Sequence, residues 1–137
     1  MSTILLVDDN EHHLEIYGAA LEEDDHWVVK ANSGAKALAK VHEGRPDLVV
    51  LDVSMPNIDG INLLGRLLDI DNTLPVILHS GYQQYRDNFL TWCADAFVVK
   101  SSDPTELRMT VLRVLRERKG NQRPKSASAT FVKEEIG

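Results

Sequence analysis

Three carboxylates, a hydroxyl and an amine occupy comparable places in this sequence. Asp8-Asp9, Asp52, Ser80 and Lys100 each directly follow a short apolar run. Brought together, the three carboxylates repel one another, and each resists ionisation unless a cation shares the site. Mg²⁺ meets that need, being hard, oxygen-seeking and able to keep several waters. Lys100 adds positive charge and Ser80 a hydroxyl donor, which leaves a pocket suited to a bound phosphoryl group. Singly, each residue has a plainer reading: acids after strands form solvated turns, Ser-Gly is a turn pair, and a lysine after a strand is surface charge. The set, not any one member, points to chemistry.

Such a set needs elements that gather it. The apolar runs are Thr3–Val7, Trp27–Lys30, Asp47–Leu51, Pro75–His79 and Ala96–Val99. Four of the five lack polar alternation, as parallel strands covered on both faces do. Between them, apolar residues recur three or four apart: Leu14, Tyr17 and Leu21; Ala35, Leu38 and Val41; Ile61, Leu64, Leu67 and Leu68. A weaker pattern near 83–92 rests on Tyr85, Phe89 and Leu90, and a last one runs through Leu107, Val111, Val114 and Leu115. Ser102 or Asp103 would cap that last helix, with Pro104 in its first turn. Five such βα units predict a doubly wound α/β sandwich, its helices folded onto both faces by right-handed crossovers. Ligands of such sheets sit beyond the carboxyl ends of the strands, where these five residues fall.

The 137 residues allow one ordinary domain. Apolar residues at 43 % and charged ones at 26 % describe a folded globular chain. A net charge of −6 argues against general nucleic-acid binding. No apolar run approaches a bilayer span, and no basic, cleavable leader precedes Thr3, so a cytoplasmic protein is expected. Cys93 is the single cysteine, which excludes a disulfide framework, and the five histidines show no metal-binding spacing. The domain is expected over residues 1–119. The segment 120–137, rich in Gly, Pro, Ser and charge, reads as a flexible tail.

VDDN at 7–10, LDVSMPNIDG at 51–60, HSGY at 79–82 and AFVVK at 96–100 resemble the receiver domain of two-component response regulators. The resemblance covers about residues 3–118. It implies a flavodoxin-like receiver fold with a five-stranded parallel sheet in order 2-1-3-4-5. It makes Asp52 the phosphoacceptor. Asp8, Asp9, the Asp52 carboxylate and the backbone carbonyl of Ser54 would hold Mg²⁺, Lys100 would pair with a phosphoryl oxygen, and Ser80 would swing in to another. Phe97 would be an aromatic switch following the hydroxyl, and Met55-Pro56 with Asp59-Gly60 a loop closing over the site. The implied partners are a sensor histidine kinase or phosphotransfer protein and a downstream protein. Neither nucleic acid nor membrane is expected to be bound by the domain itself, and a phosphorylation-dependent dimer is one outcome the resemblance allows. The chain would phosphorylate and dephosphorylate only itself, and so is not expected to be an enzyme.

The sequence departs from that family at definite points. Ser101 follows Lys100 where the family usually has Pro in a cis peptide, so either the fold sustains a costly non-proline cis bond or the loop differs. Cys93 stands where Gly commonly ends a helix. His79 is expected to face away from the Ser80 side as a partly buried structural residue. His12 and His13 read as exposed helix residues, one of them able to brush the pocket rim. Trp27 and Trp92 read as packing residues. The basic cluster Arg113, Arg116, Arg118, Lys119, Arg123 and Lys125 reads as complementing a helix C-terminus and solvating the tail.

Two other functions stay open on sequence. A Mg²⁺-dependent phosphatase of the haloacid-dehalogenase type also uses an Asp after a strand. Its D-x-D general acid is missing, because Val53 and Ser54 follow Asp52. A receiver that no longer cycles and serves only to bind protein would keep the same fold.

Overall fold

Segments of helical period separate the apolar runs, so the runs pair as parallel strands joined by crossovers rather than as hairpins. The computed structural model describes residues 1–53, 60–81 and 94–120. In it β1 (Thr3–Val7), β2 (Trp27–Ala31), β3 (Leu48–Asp52), β4 (Val76–Ser80) and β5 (Ala96–Val99) form one parallel sheet in the order β2-β1-β3-β4-β5. The described helices are α1 (Glu11–Glu22), α2 (Gly34–Glu43), α3 (Gly60–Ile70) and α4 (Thr105–Gly120). The helix expected near 83–92 lies outside the described residues. So do Ser54, Met55, Pro56, Asp59, Trp92, Cys93 and residues 121–137 of the expected tail, whose first residue, Gly120, ends α4. Among the described residues no helix is long and apolar enough to cross a membrane.

Strand alternation divides the core into two layers. On one face Leu5, Val7, Val49, Leu51, Val76 and Leu78 pack with Ala37 and Val41 of α2 and Leu63, Leu64 and Leu67 of α3. On the other face Ile4, Leu6, Leu48, Val50, Ile77 and Val98 pack with Leu14, Tyr17 and Leu21 of α1 and Leu107, Val111 and Val114 of α4. Helix starts are capped: the Asn10 side chain accepts from His12 and His13 N–H, and Ser33 from Lys36 N–H. Of the two caps expected for α4, Asp103 serves, accepting from the Thr105 N–H at 3.0 Å. Arg108 of α4 clasps Asp24 just past α1, its Nε and one terminal nitrogen lying 3.1 and 2.7 Å from the two carboxylate oxygens. This pair holds Asp24 below the usual carboxylate range.

Several local expectations need correction. β3 and β4 start and end one residue later than the apolar runs suggest, because the ladder continues through Asp52 against His79 and Ser80 against Val99. Asp52 and Ser80 are therefore terminal strand residues rather than the first residues of loops. Trp27 is no packing residue: it is 64 % exposed at the outer end of an edge strand. Arg118, in the last turn of α4, also reaches beyond its own helix. It donates to the Thr73 carbonyl and faces Asp95 at 3.9 Å, which ties α4 to the base of β4.

Candidate functional site

Register places the acids. Val7 stands beside Leu51, so Asp8 and Asp52, one residue further on, sit at the same height on adjacent strands. Alternation continues Ile4 and Leu6 into Asp8, Val50 into Asp52, Ile77 into His79 and Val98 into Lys100, all on the face covered by α1 and α4. Carboxylate oxygens of Asp8, Asp9 and Asp52 come within 4.8 Å of one another, with Asp8 and Asp52 buried and Asp9 exposed. One Asp8 oxygen is fixed by the Asn10 N–H at 2.9 Å, within the turn that starts α1.

Lys100 spans the buried acids. Its Nζ lies 2.7 Å from Asp8 Oδ2 and 3.3 Å from Asp52 Oδ2. Burial by itself works against the ammonium, but the hydrogen bond to Asp8 and the charge of Asp52 outweigh it and hold Lys100 above its ordinary value. The strand that aims Lys100 is pinned by its own backbone, the Lys100 N–H donating to the Ser80 carbonyl at 2.7 Å. The Lys100–Ser101 peptide is trans, so the loop differs from the family's usual one.

Of the residues expected in the site, Asp8, Asp9, Asp52 and Lys100 converge. Ser80 ends β4 fully buried, and Phe97 is half-buried against the α2–α3 layer, beside Leu78 in the ladder. The Ser54 carbonyl lies outside the described residues.

Three residues join the site that sequence reasoning left at its margin. His13 Nδ1 lies 3.2 Å from Lys100 Nζ and 3.4 Å from Asp8 Oδ2. Tyr17 donates its hydroxyl to the Ser101 carbonyl at 3.1 Å, and its ring meets His79 edge-on with centroids 4.6 Å apart. His79 faces away from Ser80, as alternation requires. That direction is the Asp52 face, and His79 is fully rather than partly buried. Burial, reinforced by the Lys100 charge, pushes its imidazole down to about 3. It forms a neutral floor beneath the charged cluster.

The donor set suits a hard divalent ion: three carboxylates converge within reach of one centre, and the exposed Asp9 side would leave room for water ligands. Among the described residues Lys100 sets one positive charge against these three acids, an imbalance that a bound cation would offset.

Comparison with known proteins finds similar sequences and similar folds. The family model of the response regulator receiver domain matches residues 4–112. The alkaline phosphatase synthesis transcriptional regulatory protein PhoP of Bacillus subtilis (strain 168) is 32 % identical over 115 residues, covering 82 % of this chain and 48 % of PhoP. The chain thus spans about half the length of that relative. Response regulator protein TrrA from Thermotoga maritima, solved in complex with Mg²⁺–BeF, superposes with TM-score 0.79 at 35 % identity, over 83 % of this chain and 99 % of TrrA. TrrA in complex with histidine kinase ThkA gives TM-score 0.79 at 36 % identity, over 84 % of this chain and 99 % of that one.

Proposed function

The chain belongs to the response regulator receiver domain family, and on that premise we propose that it is a phosphorylation-operated switch with Asp52 as the phosphoryl acceptor. The observation that carries the proposal is the meeting of Asp8, Asp9 and Asp52 oxygens within 4.8 Å, with Lys100 Nζ against two of those acids. Asp8, Asp9 and Asp52 would hold Mg²⁺, joined by the Ser54 carbonyl; when bound, the ion supplies positive charge to the phosphoryl oxygens. A carboxylate oxygen of Asp52 attacks phosphorus, forming an acyl phosphate as the bond from phosphorus to the donor's imidazole nitrogen or acyl oxygen breaks. Lys100 stabilises charge on the transferred group, so the protein contributes position and field rather than proton transfer. Ser80 and Phe97 would report the new charge to the surface.

The donor would be a sensor histidine kinase or phosphotransfer protein, a reading supported by the complex of the similar TrrA with the kinase ThkA. Mg²⁺ dependence is supported by the Mg²⁺–BeF complex of TrrA and by this chain's acid cluster. A cytoplasmic location follows from the access such a donor needs. Turnover would be limited to the chain's own acyl phosphate, so it is not a multiple-substrate enzyme. The phosphatase alternative finds no support in the family match.

Beryllofluoride capture tests this reading. Full chain with Mg²⁺ is expected to bind it tightly and Asp52→Ala not at all. Equal capture by Asp52→Ala, or steady turnover of a phosphomonoester by the wild-type protein, would overturn the reading.

A further inference from the structure

Helix α1 reaches the end of β5 with two side chains one turn apart, one against the Lys100 ammonium and the other against the carbonyl of the residue that follows. His13 Nδ1 lies 3.2 Å from Lys100 Nζ, and the Tyr17 hydroxyl donates to the Ser101 carbonyl at 3.1 Å. The i, i+4 spacing puts both residues on one helix face, and their rings stand 5.7 Å apart. The edge-on contact of Tyr17 with buried His79 sets the tyrosine's direction.

An ammonium has three N–H donors and no acceptor. Lys100 Nζ meets Asp8 Oδ2 at 2.7 Å, His13 Nδ1 at 3.2 Å and Asp52 Oδ2 at 3.3 Å, one acceptor for each donor. Because lysine only donates, the contact is a hydrogen bond in the tautomer that leaves His13 Nδ1 unprotonated, and the same nitrogen stands 3.4 Å from Asp8 Oδ2. Two of these acceptors are acids that the proposed chemistry engages directly. His13 is the third, and it stays outside that chemistry. In that tautomer an imidazole acceptor holds the ammonium without adding a negative charge that would compete with phosphoryl oxygens.

We propose that His13 and Tyr17 are positioning residues for Lys100. His13 retains the ammonium over the site and Tyr17 fixes the carbonyl that follows it, so that Lys100 keeps its aim when Asp8 and Asp52 take other partners. The consequence for phosphoryl transfer rests on the role of Lys100 proposed above; the clamp itself does not.

Lysine-ammonium NMR of the full ¹⁵N-labelled chain tests it, with the Lys100 signal assigned by Lys100→Arg. The wild-type signal is expected to be protected from exchange. It should be lost in His13→Ala and in Tyr17→Phe, which keeps the ring and its packing on His79, and kept in His13→Asn, which returns an acceptor near the Nδ1 position. The acetyl-phosphate phosphorylation rate should fall roughly two- to tenfold in His13→Ala and Tyr17→Phe, the worth of one hydrogen bond, and recover in His13→Asn. A signal already exchanging in wild type, one unchanged in both His13→Ala and Tyr17→Phe, or a His13→Asn protein that behaves like His13→Ala would overturn the clamp. If wild type takes up no phosphoryl group, the receiver reading fails while the spectra still judge the clamp.

Discussion

Lys100 holds its ammonium 2.7 Å from Asp8 Oδ2, a closer approach than its 3.3 Å contact with Asp52, the acid it is proposed to serve. The lysine is therefore first a counter-ion for two buried carboxylates and second a ligand for whatever Asp52 carries. Removing one partner from a buried ion pair is costly because the other charge is stranded.

Lys100→Met is accordingly expected to destabilise the protein by about 3 kcal/mol at neutral pH. Added Mg²⁺ should recover part of that loss, since a bound cation again balances Asp8 and Asp52. Urea unfolding with and without Mg²⁺ measures both. A Lys100→Met protein as stable as wild type in metal-free buffer would contradict the charge-balance argument.

Asp9 makes the opposite prediction. It is exposed while Asp8 and Asp52 are buried. Asp9→Asn should change stability in metal-free buffer by no more than about 0.5 kcal/mol. It should nonetheless weaken or abolish the rise in Tm that Mg²⁺ gives the wild-type protein. An undiminished Mg²⁺ response would remove Asp9 from the ligand set.

His79 predicts a pH dependence. Its imidazole is held down to about 3 in the fold, against about 6.5 in the unfolded chain. The native state therefore binds fewer protons than the unfolded state between those values, and stability falls as pH falls. The penalty is absent above about pH 6.5 and grows by up to about 1.4 kcal/mol per pH unit below it, until about pH 3. Urea unfolding between pH 7 and pH 5 in metal-free buffer should show this slope, and His79→Leu should flatten it. An equal slope in His79→Leu would assign the acid sensitivity elsewhere.

Gly18 lies in α1 between the residues that serve the site and the edge strand. A Cβ there would come within 2.8 Å of Lys30 Cε, the far end of a flexible side chain that can swing away. Gly18→Ala should thus be neutral or stabilising by up to about 1 kcal/mol, the helix-propensity difference. Thermal unfolding checks the sign. A clear loss would mean that α1 sits more tightly on β2 than Lys30 suggests.

The layered sheet could be read from the sequence because Val- and Leu-rich runs such as LVVL at 48–51 have no polar phase and must be covered on both sides. The convergence of Asp8, Asp52 and Lys100 followed from their places at strand ends, since a parallel sheet brings those ends to one rim. The strand ends slipped by a residue at Asp52 and Ser80 because pairing, not hydrophobicity, decides where a ladder stops. His13 and Tyr17 were harder. Their meeting with Lys100 and Ser101 depends on where a crossover sets α1 against β5, and no local spacing encodes that. A signal did exist: His13, Tyr17 and Leu21 recur every four residues, so His13 extends the buried stripe of α1 toward the acid pair.

Borohydride trapping identifies the residue that carries the phosphoryl group. Reducing the protein after incubation with acetyl phosphate and Mg²⁺ converts an aspartyl phosphate to homoserine, which tandem mass spectrometry locates by residue. Homoserine is expected at position 52, with none when Mg²⁺ is chelated and none anywhere in Asp52→Asn. Homoserine at another aspartate in the wild-type protein, with position 52 unmodified, would contradict the assignment of Asp52 as the phosphoryl acceptor.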